Sequence, residues 1–128
     1  MKILCLFLLF STLAFTEDYS SSKPKHTADR NFWLITAGQF TATVYDIETT
    51  RCFLHNPGWE ESNPLLGKHP SDARVYGTLL LQAGLIAGAG YVLKGRKNFL
   101  NKVWWVPQAY ATGMHVRAGS RNIINGGC

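Results

Sequence analysis

Apolar residues are gathered into a few runs along the chain, and the polar residues lie between those runs. The run from Val75 to Leu93 has nineteen residues, no charged side chain, and Gln82 as its one strongly polar residue. A helix needs about 20 such residues to cross the hydrocarbon core of a bilayer. This run therefore predicts a transmembrane helix. A buried helix of a soluble protein is the alternative, but glycines inside a water-soluble helix are costly.

Two further segments have the length of a helix. The first, Asn31 to Leu54, carries charges in its second half, and each charge near mid-membrane costs about 2.5–3.5 kcal/mol. We therefore expect this first segment to insert only together with partner helices. Its predicted N-cap is Asn31. The third, Val103 to about Arg121, begins with two tryptophans typical of the membrane interface. Whether it spans fully stays open, because its first arginine follows after about 14 residues.

The N-terminus has the pattern of a secretory signal. Met1 and Lys2 precede an apolar run of 13 residues, which is too short to span a bilayer. The predicted organisation is a signal peptide or uncleaved anchor over 1–16, a disordered polar lead-in over 17–30, a helical membrane domain over 31–122 and a flexible tail over 123–128. A cleaved signal favours placing residues 17–30 outside, although basic residues on that side argue for the reverse.

The predicted fold class is all-α, a small transmembrane bundle of about three helices after the signal-like segment. The hydrophobic fraction of 46% and the net charge of +5 do not by themselves require a membrane. The lysines and arginines, however, flank apolar runs and do not alternate with aromatic residues. This favours charges at a membrane edge, and lipid as a partner, over binding to nucleic acid.

The second helix carries a motif of small residues. Gly77, Gly84 and Gly88 fall on one face at 100° per residue, and Gly84-x-x-x-Gly88 matches the spacing that lets helices approach closely in lipid. We therefore expect these three glycines to be helix-packing residues, either within the bundle or against a membrane-protein partner or second copy.

Polar residues form two stripes with the same spacing of four, three and four residues. The stripes are Gln39, Thr43, Asp46 and Thr50 in the first segment, and Gln108, Thr112, His115 and Gly119 in the third. If all three segments span, these two run in the same direction, and Asp46 and His115 agree in depth within about 3 Å. An ionisable residue inside a span needs a partner, so we expect this pair to meet, with the glutamine and threonine levels above it. A purely structural polar zipper is the alternative role.

The connection between the first two segments contains turns and unexplained ionisable groups. Asn56-Pro57-Gly58 should end the first helix, and Ser71 with Asp72 should cap the second. Turn chemistry does not account for His55, Glu60, Glu61 and His69. Their spacing matches no zinc motif, and no nucleophile elbow, P-loop or dinucleotide fingerprint is present, so no metal or cofactor is expected. Cys52 and Cys128, which remain after signal cleavage, form neither a disulfide framework nor a metal motif.

The motifs Asp46-x-x-Thr49-Thr50 and Glu61-x-Asn63-Pro64-Leu65, followed by a clean span and by His115 and Asn122, resemble a group of small bacterial membrane proteins of unknown function. The resemblance implies a compact helical domain in the bacterial inner membrane. It marks five polar positions, which are Asp46, Thr50, Glu61, Asn63 and His115, and it carries no known activity.

Three functions remain open on these grounds. The first is an interaction or assembly component of a membrane. The second is a membrane-embedded enzyme or proton-handling protein that uses Asp46, Glu61 and His115, because an imidazole beside a carboxylate suits acid–base chemistry. The third is a secreted soluble helical domain. Whether the chain is an enzyme, and on what substrate, is not decided by these residues.

Overall fold

The computed structural model describes residues 27–126, and in this range the chain is all-helical, as predicted. Helix α1 is Arg30–Leu54, α2 is Asp72–Lys94 and α3 is Val106–Gly126. A short 3₁₀ helix, Phe99–Lys102, lies between α2 and α3. The predicted signal peptide, most of the polar lead-in and the last two residues lie outside the described part of the chain.

Helix α1 begins at Arg30 because Asp29 caps it. The Asp29 carboxylate accepts a hydrogen bond from the backbone N–H of Phe32 at 2.9 Å, so the prediction of Asn31 as the cap was wrong. Aspartate and asparagine are equally good caps, and the sequence offered both within one turn. Helix α2 is capped by Ser71, which accepts from the backbone N–H of Arg74 as expected.

Helix α3 begins and ends later than its sequence pattern predicts. The 3₁₀ helix and a turn take up residues 99–105, so α3 starts at Val106 with Pro107 in its first turn, where a proline is tolerated. It continues to Gly126. Residues 123–126 of the predicted flexible tail are therefore helical.

The contacts at both ends of the bundle define the helix directions. The ring centroid of Phe32, near the start of α1, lies 5.8 Å from that of Trp104, which stands just before α3. The ring of Tyr91, near the end of α2, packs on the same phenyl ring. Near the far ends of α1 and α3, Asn122 bonds to Thr50. Helices α1 and α3 are thus parallel, α2 is antiparallel to both, and the most extensive packing is between α1 and α3.

We call the end of the bundle with Phe32, Tyr91 and Trp104 the aromatic end, and the end with residues 55–71 the connection end. At the connection end the loop folds back, and Leu66 is buried against Ile47, Val75 and Leu79. This apolar cluster anchors the loop on the helices, so that its turns are held against the bundle.

The three glycines predicted to pack α2 against the bundle do not do so. Gly77, Gly84 and Gly88 are exposed, and a Cβ atom at any of them would meet nothing within 4 Å. The face of α2 that is buried instead comprises Val75, Leu79, Ala83, Ile86, Ala87 and Gly90. A helix of small and apolar residues offers several possible packing faces, and the shapes of its neighbours decide which is used. The prediction was therefore wrong for packing within this chain.

Close approach occurs at other glycines. A Cβ atom on Gly119 of α3 would lie 2.5 Å from the Tyr45 ring and 3.0 Å from the Thr49 hydroxyl, both on α1. A Cβ atom on Gly90 of α2 would lie 3.0 Å from Gln108 Oε1. Since α1 and α3 touch at Gly119, this residue allows the polar stripes of the two helices to meet.

Gly119→Ala should lower the free energy of unfolding in detergent by about 1–3 kcal/mol, because the new methyl group overlaps Tyr45. Gly113→Ala is the matched control on the same helix, since a Cβ atom there meets open space. We expect the control to be neutral or to stabilise by up to about 1 kcal/mol through helix propensity. Equal effects of the two substitutions in thermal unfolding would contradict this packing.

Candidate buried polar site

Asp46 of α1 and His115 of α3 meet inside the bundle. The His115 Nδ1 atom lies 2.7 Å from Asp46 Oδ2, and both residues are only 7% exposed. The predicted approach of the two side chains is confirmed. The distance fits a hydrogen bond, in which the carboxyl group of Asp46 fixes the orientation of the imidazole ring.

Two further polar residues extend this pair toward the connection end. The Asn122 amide donates to Thr50 Oγ1 at 2.9 Å, and the Thr50 hydroxyl lies 3.4 Å from Asp46 Oδ1. The second distance is at the long limit of a hydrogen bond. Asn122 lies seven residues after His115, two turns along the same face of α3, and this spacing could have identified it as part of the stripe.

The glutamines and threonines on the other side of the pair each have a separate hydrogen-bond partner. Gln108 donates to the Thr36 hydroxyl at 2.9 Å, and Gln39 donates to the backbone carbonyl of Ala83 in α2 at 3.1 Å. Thr43 and Thr112 donate to carbonyls four residues earlier in their own helices. The two glutamines therefore do not bond to each other, and the Gln39 side chain links α1 to α2.

The remaining oxygens of the two glutamines lack partners. Gln39 Oε1 and Gln108 Oε1 are buried and have no hydrogen-bond partner among the described residues. A buried unsatisfied acceptor costs about 1–3 kcal/mol. This part of the interior is polar without being fully hydrogen-bonded, whereas the Asp46–His115 pair is satisfied.

Glu61 and Asn63 lie in the connection and build a turn. Glu61 Oε1 accepts from the backbone N–H of Asn63 at 2.7 Å, and Asn63 Oδ1 accepts from that of Leu65 at 3.1 Å. Gly67 follows at φ +80°, a conformation that favours glycine. Among the described residues Glu61 has no hydrogen bond or ion pair with Asp46 or His115. The five polar positions thus divide into a buried group of three and a turn of two.

The other ionisable residues of the connection also have local partners. Glu60 pairs with Lys68 at 2.9 Å and lies 3.8 Å from His69, and the lysine lowers the pKa of the glutamate. The His55 Nδ1 atom lies 2.6 Å from the carbonyl oxygen of Arg51, at the end of α1. Within residues 27–126, no group of three histidine, cysteine or acidic side chains is placed to hold a metal ion.

Cys52, near the end of α1, is disulfide-bonded. The wide spacing of the cysteines had predicted no disulfide framework. That spacing says nothing about which parts of the chain meet after folding. The other two cysteines, Cys5 and Cys128, are outside the described residues.

A groove of about 570 Å³ lies at the aromatic end, away from the Asp46–His115 pair. It is lined by Asn31, Leu34, Ile35, Lys102, Trp104 and Trp105. None of the five marked polar residues lines this groove. The groove and the buried pair are separate features of the molecule.

Compared with protein-family models, curated proteins and solved structures, the chain matches none of them. The resemblance to small bacterial membrane proteins therefore stays a prediction that rests on the short motifs around Asp46 and Glu61.

Asp46→Ala and His115→Ala should each lower the free energy of unfolding by about 3 kcal/mol, because each leaves a buried polar partner unpaired. The double variant should cost clearly less than the sum of the two, since it removes both partners. Chemical denaturation in detergent measures all three. The control is the cycle on the exposed pair Glu60 and Lys68, whose coupling should stay below about 1 kcal/mol. Additive costs at Asp46 and His115 would contradict the pairing.

Proposed function

We propose that this chain is a small integral membrane protein that acts as an interaction or assembly component. The observation that carries the proposal is the exposure of α2, the one helix in residues 27–126 that is long and apolar enough to cross a membrane. Only 22% of the most apolar 18-residue stretch of α2 is buried inside the protein. A core helix of a soluble protein would be mostly covered, so the other faces of α2 fit contact with lipid or with a partner helix.

The exposed side of α2 supports this in detail. Leu81 and Leu85 are 65% and 67% exposed, and Gly84 and Gly88 lie beside them without contacts to the bundle. Exposing such an apolar surface to water is unfavourable in a monomeric soluble protein. In lipid the same apolar surface has no such cost, and Gly84 and Gly88 allow another helix to approach closely.

Helices α1 and α3 would complete the membrane bundle. By length alone, 25 and 21 residues or about 37 and 31 Å, they could reach across a hydrocarbon core of about 30 Å. In α3, the exposed Arg117 and Arg121 limit the uncharged part of the helix to its first half. The charges of α1 that would be costly are paired: Arg51 lies 3.1 Å from Glu48 and 2.6 Å from Asp72. The burial of Asp46 against His115 removes the remaining acid of α1 from contact with lipid.

The disulfide and the charges suggest one orientation. Disulfides form in oxidising compartments, so Cys52 favours a connection end that faces away from the cytoplasm. The aromatic end, with Arg30, Lys97 and Lys102, then faces the cytoplasm, in agreement with the positive-inside rule. This reverses the orientation inferred from the signal-like N-terminus. The bacterial inner membrane as the location rests on the resemblance alone.

A proton-handling function is the second candidate, favoured by the direct contact of a buried imidazole with a buried carboxylate. Purified protein in vesicles that contain a pH-sensitive dye separates the two candidates. The interaction proposal predicts that an imposed pH gradient decays equally fast with the wild type and with Asp46→Asn. Faster decay with the wild type alone would favour proton transfer.

Leu81→Lys combined with Leu85→Lys should abolish stable membrane insertion, because two charges would lie on the lipid-facing side of α2 at mid-membrane. After expression and carbonate washing, the wild type should remain in the membrane pellet, and the variant should be released or degraded. Leu65→Lys, in the connection, is the control and should stay in the pellet, since Leu65 is exposed outside the helices. Release of the wild type into the wash would contradict the proposal.

A further inference from the structure

The groove at the aromatic end combines apolar walls with one cationic side chain. Leu34 and Ile35 of α1 line it, as do Trp104 and Trp105 from the turn before α3. Lys102, the last residue of the 3₁₀ helix, also lines it. The Trp105 indole N–H donates to the Lys102 carbonyl oxygen at 3.2 Å, which holds the indole beside the lysine. The lining of the groove thus combines apolar and aromatic side chains with the polar groups of Lys102 and Asn31.

Among the described residues, the charge at the aromatic end is mostly positive. Asp29 is the one acidic residue described at this end, and it is paired with Lys94, which lowers the pKa of the aspartate and keeps it ionised. Lys94 also lies over the Trp104 ring, 4.3 Å from its centroid. Arg30, Lys97 and Lys102 are exposed and have no ion-pair partner among the described residues. An anion bound at Lys102 would therefore meet no free carboxylate among the described residues of this end.

We propose that the groove binds a phospholipid with an anionic headgroup, whose phosphate contacts Lys102 and whose acyl chain lies along Leu34, Ile35 and Trp105. The inference rests on the proposed membrane location and adds the chemistry of a specific lipid partner. The apolar walls favour a lipid over a soluble anion, because a free phosphate would gain nothing from contact with leucine, isoleucine and indole.

The position of the groove along the bundle agrees with this occupant. Tryptophans are enriched at the level of the headgroups, where the ring is in the hydrocarbon and the N–H is in a polar layer. Trp33 and Phe99 are exposed at the same end, so the groove lies within a belt of aromatic side chains. The orientation proposed above places this end in the cytoplasmic leaflet, whose surface carries the anionic lipids.

The test uses the full chain in vesicles and follows its tryptophan fluorescence while phosphatidylglycerol with brominated acyl chains is added. Bromine quenches a tryptophan only at short range. At equal lipid fractions, brominated phosphatidylglycerol should quench more strongly than brominated phosphatidylcholine, because the groove concentrates the anionic lipid. Lys102→Gln should weaken this preference about fivefold, the effect of about 1 kcal/mol per basic residue at the surface.

Lys68→Gln is the matched control, a lysine at the connection end that is paired with Glu60. It should leave the preference unchanged. Equal quenching by the two lipids in the wild type would overturn the site while the membrane proposal stands. No quenching by either lipid would overturn both. An unchanged preference for phosphatidylglycerol in Lys102→Gln would also contradict an anionic phospholipid held at Lys102. The same conclusion would follow if excess inorganic phosphate abolished the preference of the wild type.

Discussion

The hydrogen bond between Asp46 and His115 determines how the two long parallel helices meet. An unpaired carboxylate in the interior of a bundle is strongly destabilising, so α1 and α3 must associate in the register that brings an imidazole to it. Gly119 lets the backbones approach at this level, with no side chain between α3 and the Tyr45 ring. The pair thus selects a single alignment from the many that apolar surfaces alone would allow. We regard conformational specificity as its role in the proposed function.

Around this alignment the molecule has two ends of different character. The connection end is closed by its own residues, since Leu66 is buried and the glutamates of the loop bond to neighbouring loop groups. The aromatic end is open, with a groove and with cations, such as Lys102, that have no ion pair with any of the described residues. At the connection end the polar groups of the loop bond to one another, whereas the aromatic end suits an anionic lipid. This difference agrees with the proposed membrane protein, in which the exposed face of α2 is free to contact lipid or a partner helix.

The sequence predicted the features that depend on distance along a helix. Depth follows from residue number and helical rise, so Asp46 and His115 could be matched before any contact was known. It could not predict which face of α2 is buried, because this depends on the shapes of the neighbouring helices, and Gly84 and Gly88 proved to be exposed. The sequence also could not predict that Glu61 builds a turn. A carboxylate that accepts a hydrogen bond within a turn looks, in a sequence, like one available for chemistry.

In the proposed function, α1, α2 and α3 cross a membrane as one bundle, with the two ends on opposite sides. A membrane-impermeant thiol reagent on intact cells tests this topology, after mild reduction, with Cys5 and Cys128 replaced by serine and with Cys52 also replaced in the Lys97→Cys variant. We expect it to label Cys52 at the connection end, and to label Lys97→Cys at the aromatic end only after the membrane is broken. Labelling of both positions in intact cells, or of neither, would contradict a bundle that spans the membrane.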